Sequence, residues 1–208
     1  GVDELVFYDI MASARGRGPI LDLISKVASK VFIPFCVGGG IGTIEDIRST
    51  ILAGAEKISL NSQAVKNPGL ITEGARVFGN QCIVLGMDAA KDDSMPSGYR
   101  VFINGGRVAT ELDALAWAKK AVDLGAGEIV LNSIDADGTK AGYELTLTKM
   151  IADNVKVPVI ASGGGGTVDH MADVLTKANA DAALIATMVH SGRYTVNSIK
   201  EKGIPVRH

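Results

Sequence analysis

Residues 31–40 of this chain read VFIPFCVGGG, and residues 155–164 read VKVPVIASGG. Pro34 and Pro158 occupy equivalent places, 124 residues apart. DELVF (3–7) answers GEIVL (127–131) at the same offset, and GTIED (42–46) answers GTVDH (166–170). Self-similarity at a long period marks a fold assembled from repeated units, and it narrows the possible architectures more than any other feature of the sequence. The apolar run CIVLGMDA (82–89) lies between the two copies. Its repeat partner, acid included, would fall before Gly1.

Seven short apolar segments alternate with helical patterns, near 4–9, 32–37, 57–60, 82–87, 128–132, 157–161 and 182–186. Runs such as CIVLGM and ALIAT are apolar throughout, as in strands covered on both faces of a parallel sheet. Repeated βα units close most simply as a (β/α)8 barrel, with a doubly wound open sheet as the main alternative. The expectation is an α/β fold. Residues 1–208 are expected to form a single incomplete (β/α)8 barrel domain with a twofold internal repeat, truncated at the N-terminus to seven strands. Helix ends follow from local chemistry. Pro19 suits the first turn of ILDLISKVASK, Thr43 and Asp46 a capping box, and Asn67-Pro68 an N-cap and first helical position. Gly125 suits a left-handed helix end. Asn104-Gly105 inside YRVFINGGRVAT (99–110) signals a small hairpin between a strand and a helix.

The bulk properties exclude several classes. At 208 residues the chain suits one domain with a substantial core. A net charge of −2 offers no basic footprint for nucleic acid. No apolar run approaches the roughly 18 residues of a membrane span. Cys36 and Cys82 fall inside predicted strands and read as buried small hydrophobes in a reducing, cytoplasmic compartment. No metal is expected, since His170, His190 and His208 show no ligand spacing. Asp135-x-Asp137-Gly138 opens like an EF-hand loop, but Thr146 stands where the twelfth-position Glu belongs. No cofactor is expected, and Trp117 reads as core.

In a barrel the polar residues that end the strands build the active site. These are Asp9, then Gly38 to Gly40, Asn61 and Ser62, Asp88, then Asn132, Asp135 and Asp137, Ser162 to Gly166, and Thr187. A glycine run between strand and helix bares backbone N–H groups beside a positive helix end, which suits a phosphate dianion. One such run also serves a tight turn; two at equivalent positions imply two phosphate sites across one mouth. The ligand is then long, with a phosphate at each end. Asp88 and Asp137 are the candidate acid and base. Asp88 ends an apolar strand, where desolvation raises a carboxyl pKa, and ranks above Asp137, whose DADGT context also reads as a plain turn.

The segments FCVGGGI, SLNSQAV, VLGMDA, NSIDADGTKAGY and VIASGGGG resemble those of the cyclase subunit of imidazole glycerol phosphate synthase, a histidine-biosynthesis family. The resemblance runs from Gly1 to near the C-terminus. It implies a bisphosphorylated small-molecule substrate that ammonia attacks. The imidazole ring closes, releasing imidazole glycerol phosphate and an aminoimidazole carboxamide ribotide. It implies an Asp pair as general acid and base, of which Asp88 matches the member on the fifth family strand. Asp137 matches an assisting Asp. The other acid and a Lys-bearing loop belong to the first family strand, which has no counterpart here, so this chain alone is expected to lack turnover. Gly39, Gly40, Asn61 and Ser62 map to one phosphate site. Asn132, Gly138, Ser162, Gly163, Gly164, Gly165, Ala186 and Thr187 map to the other. The resemblance also implies a glutaminase partner on the opposite face, where Glu4, Lys57 and Glu128 map to a ring of charges at an ammonia-channel entrance. On residues alone, a surface ion-pair cluster is the preferred reading of that trio.

Two other readings compete. The related phosphoribosylformimino isomerase shares the repeat and the glycine turns. A non-catalytic module would bind the bisphosphate or the glutaminase without turnover.

Overall fold

The computed structural model describes residues 1–9 and 18–201; His208 lies outside them. Strands β1 (Leu5–Tyr8), β2 (Phe35–Gly38), β3 (Lys57–Leu60) and β4 (Ile83–Lys91) are followed by a hairpin, β5 (Tyr99–Ile103) and β6 (Val108–Asp113). Strands β7 (Glu128–Ser133), β8 (Val159–Ser162) and β9 (Ala182–Ala183) complete the sheet. The parallel order is β1-β2-β3-β4-β7-β8-β9, and the hairpin pairs antiparallel with the end of β4. Helices α1 (Leu21–Ala28), α2 (Ile44–Leu52), α3 (Ser62–Lys66) and α4 (Gly69–Phe78) connect the first four strands. Helices α5 (Ala114–Asp123), α6 (Leu145–Ala152) and α7 (Val168–Lys177) connect the rest, and α8 (Thr187–His190) and α9 (Val196–Lys200) follow β9. This is the expected α/β arrangement of a (β/α)8-type fold. Among the described residues, β1 and β9 each pair with one neighbour.

The curl is visible in the register. Residues paired across parallel strands point to the same face. The row Tyr8–Gly38–Ser59–Val84–Glu128 therefore lies on one face. It begins at the last residue of β1 and ends at the first residue of β7, the stagger that tilted barrel strands require. Cys36, Val84 and Val130 form an apolar layer on that inner face. The outer face carries Ile58, Leu85, Ile129 and Leu131, buried against the helices. Trp117 of α5 joins that core.

The repeat persists down to single hydrogen bonds. Leu5 N–H donates to Pro34 O, and Ile129 N–H to Pro158 O, each at 2.9 Å. Thr43 and Thr167, also 124 apart, both cap helices in extended conformation, accepting from the N–H groups of Asp46 and His170. The Thr43–Asp46 capping box forms as expected. Gly125 follows α5 with φ +115°. The hairpin turns through Asn104, Gly105 and Gly106, all with positive φ.

Several local expectations are corrected. Strand β2 starts at Phe35, not near 32, because Pro34 has no N–H for the ladder. Pro19 precedes the N-cap Ile20 rather than sitting in the first turn of α1. The cap of α4 is Pro68; Asn67 instead ends α3, its N–H bonded to Gln63 O at 2.8 Å. Cys82 lies in a 3-10 turn before β4 and is partly exposed, whereas Cys36 is buried in β2. Strand β9 is shorter than 182–186, because Ala186 already caps α8, whose last residue is His190.

Candidate active site

The C-terminal ends of the strands surround a cavity of about 510 Å3. Register places Asp88, Asn132 and Ser162 side by side on the inner face at its rim. Asn61 Nδ2 donates to Asp88 Oδ2 at 2.9 Å, and Asn132 Nδ2 donates to Asp88 Oδ1 at 3.0 Å. Each carboxylate oxygen thus has its own amide, which fixes the plane of the group. Burial pushes the Asp88 carboxyl above the usual range; the amides of Asn132 and Asn61 oppose this, and repulsion from Asp137 adds to it. Asp137 lines the same cavity, its N–H bonded to Ser133 O at 2.9 Å.

The two glycine turns flank this centre. A Cβ on Gly39 (φ +98°) would run into the Asp9 carbonyl, and one on Gly164 (φ +96°) into the Gly142 carbonyl. Both positions therefore need glycine for conformation and for space. Gly39, Gly40 and Ser62 line the cavity at one end, and Ser162 and Ala186 line it too. Gly165 and Thr187 line a smaller adjacent pocket, together with Gly166, Lys140 and Arg193. Gly138, Gly163 and Gly164 line neither, although a Cβ at Gly163 would press on Asn132 Oδ1 at 2.8 Å. Asn61 and Asn132, mapped to phosphate contacts, spend one amide N–H each on Asp88; a second N–H and a carbonyl remain on each.

At the other end of the sheet, Lys57 Nζ reaches Glu4 Oε2 at 2.8 Å and Glu128 Oε2 at 2.7 Å. Burial alone would lower the Lys57 ammonium, but its bonds to Glu128 and Glu4 leave it raised. Glu128 is also raised, by burial that Lys57 only partly offsets. The two directions are compatible: one cation serves two anions, so it is amply compensated while Glu128 is not. The apolar layer of Cys36, Val84 and Val130 lies on the same inner face as this cluster and the cavity.

Sequence reasoning missed four side chains at the cavity. Tyr8 hydroxyl lies 3.2 Å from Ser59 Oγ, its ring passing over Gly38, where any Cβ would collide with it. Gln63 and Arg107 also line the wall. Asp135, singled out as polar, instead accepts from Lys91 N–H at 2.7 Å and braces the end of β4. Among the described residues no group of His, Cys, Asp and Glu could hold a metal ion, and no helix is long and apolar enough to cross a membrane.

A family model described as "Histidine biosynthesis protein" matches residues 1–195. The chain belongs to this family. Its relatives include the imidazole glycerol phosphate synthase subunit HisF of Desulforapulum autotrophicum, 61% identical over 214 aligned residues that cover all of this chain and 83% of the relative. The HisF subunits of Desulfatibacillum aliphaticivorans and Solidesulfovibrio magneticus are 60% and 58% identical, again over the whole chain and 82% and 83% of those proteins. The histidine-biosynthesis family is thus the one that the residue motifs resemble, and its relatives here are synthase subunits.

Proposed function

We propose that this chain carries the cyclase chemistry of imidazole glycerol phosphate synthase, with Asp88 as a general acid–base group and Asp137 assisting. The observation that carries the reading is the Asp88 carboxylate: desolvated, oriented by two amides, and placed between two glycine turns related by the repeat. A raised pKa brings a carboxyl towards the pH at which it can both take and give a proton. The flanking turns suit a substrate with a phosphate at each end. Ammonia adds to that substrate, the imidazole ring closes, and imidazole glycerol phosphate and an aminoimidazole carboxamide ribotide leave.

The source of ammonia in this reading is a glutaminase docked beside Glu4, Lys57 and Glu128, with the inner apolar layer between that cluster and Asp88. The compartment is the cytoplasm, in keeping with two free cysteines. The test uses the chain extended to the full length of its relatives, of which it covers 83%, and supplies the bisphosphate with ammonium salt, then with glutamine and the glutaminase. Product formation in both supports the cyclase. Conversion of the isomerase substrate instead, or tight binding without turnover, overturns it in favour of the isomerase or the binding module.

A further inference from the structure

The reactive cavity has an unusual balance of charge for a site that takes anions. Among the described residues its charged lining comprises Asp9, Asp88 and Asp137 against one cation, Arg107. Resting on the bisphosphate reading above, we propose that Arg107 is the cation for the phosphate at the Gly39–Gly40 end, and that the β5–β6 hairpin serves to deliver it.

Three features of the hairpin support this. Its tip is fastened to the phosphate turn itself: Asn104 N–H donates to Ser62 Oγ at 2.8 Å, and Ser62 is buried. A hydroxyl that accepts this bond keeps its own proton for an anion, so Ser62 can hold the hairpin and a phosphate together. The tip is also packed from the other side, where a Cβ on Gly106 would lie 3.2 Å from Ile134 Cδ1. Finally, the base of the hairpin is braced by Arg100, which reaches Asp92 Oδ2 and Thr110 O, each at 2.6 Å. A segment held at base and tip presents its side chains in fixed places.

Arg107 is the side chain this arrangement leaves over. Its N–H closes the turn onto Ile103 O at 3.1 Å. Its guanidinium folds back towards the cavity wall, with Nη1 4.0 Å from where a Cβ on Gly105 would stand, and Gly105 lines the cavity with it. Among the described residues it forms no ion pair, whereas Arg100, seven positions earlier on the same hairpin, is paired to Asp92 and Glu111. At the other end of the mouth, Lys140 and Arg193 stand beside Gly165, Gly166 and Thr187. Each proposed phosphate end then has backbone donors and at least one cation, and the Gly39–Gly40 end has Arg107. A guanidinium matches a phosphate with two parallel N–H donors, which a lysine cannot reproduce.

Each reaction product carries one phosphate, so the two ends can be probed separately. Calorimetric titration of imidazole glycerol phosphate and of the aminoimidazole carboxamide ribotide against wild type, R107M and R107K makes the test. R107M should weaken one product about 10- to 100-fold, the range for a charge-assisted hydrogen bond, and leave the other within about twofold. R107K should recover part of the loss. Both products unchanged, or both weakened alike, overturns the proposal. A wild type that binds neither product overturns the cyclase reading instead. Should R107M lower the unfolding midpoint, the same selectivity is required of R107K and R107Q.

Discussion

Removing the cation from the Glu4–Lys57–Glu128 cluster tests how much of the fold's stability depends on that end of the sheet. K57M keeps most of the side chain's length and deletes its charge. The side chains of Lys57, Glu4 and Glu128 are 22%, 30% and 13% exposed. Breaking a fully buried pair costs about 3–5 kcal/mol, and an exposed pair is worth about 0.2–1 kcal/mol. Partial exposure places K57M between these, at a loss of about 2 kcal/mol near neutral pH. With a urea slope of about 2 kcal/mol per molar, the midpoint falls by about 1 M. The pH dependence is the sharper signature. Glu128 is already raised by burial, and losing Lys57 raises it further and leaves it facing Glu4. A carboxyl with a raised folded pKa favours folding below its unfolded pKa, and that contribution is lost as pH rises through the folded value. The K57M deficit should therefore be largest near pH 7.5 and shrink towards about pH 4.5. The triple variant E4Q/K57M/E128Q buries no uncompensated charge and should recover at least half of the loss. A K57M midpoint within error of wild type at neutral pH, or a deficit that grows on acidification, refutes the argument.

Three further outcomes follow from the cavity. In the chain extended to the full length of its relatives, D88N should lower turnover by about 10²–10⁴-fold, the usual share of general acid–base catalysis, with little change in substrate affinity; near-normal turnover would make Asp88 a structural group. N132L removes one of the two amides that hold Asp88 down, so the Asp88 limb of the pH–rate profile should move to higher pH. Its stability relative to wild type should fall as pH rises, because the raised carboxyl must then ionise at greater cost. G164V forces a side chain onto the Gly142 carbonyl at positive φ and should weaken bisphosphate binding with helix content preserved by circular dichroism; unchanged affinity would sever that turn from the ligand.

Much of this fold is legible from periodicity, for physical reasons that particular residues display. Apolar runs such as Ile83–Met87 mark strands because both faces of the sheet are covered, the outer by helices and the inner by the layer around Val84. Thr43 and Asp46 mark a helix start because the capping bonds are local, spanning three residues. Boundaries are less legible where two local signals compete. Asn67 has the chemistry of an N-cap for α4, yet its N–H is already used to close α3, and Pro68 takes the cap. Ala186 belongs to an apolar strand run, yet its backbone turns to open α8.

The site divides along the same line, between local and long-range causes. Glycine turns and a carboxylate ending an apolar strand are local features, and both are read directly from sequence. The partners of that carboxylate are not, because an Asn after a strand reads as a cap whatever it faces. Asn61 and Asn132 meet Asp88 across 27 and 44 positions of chain. They converge only because the sheet register brings the ends of β3, β4 and β7 together on the inner face. Tyr8 depends on the same stagger: it reaches Ser59 across 51 positions by crossing Gly38, whose missing side chain leaves room for the ring. Arg107 lies further still from sequence legibility, since a cation in a hairpin turn looks solvated until the tip is seen bonded to Ser62. The residues that tune and neutralise this cavity are thus the ones whose places are set by register and by a single long-range bond. Substitutions that crowd this seam, such as a bulky residue at Gly38 or Gly86, should disturb the Tyr8–Ser59 contact, since a Cβ at Gly38 would collide with the Tyr8 ring and one at Gly86 would stand 2.8 Å from Ser59 Oγ.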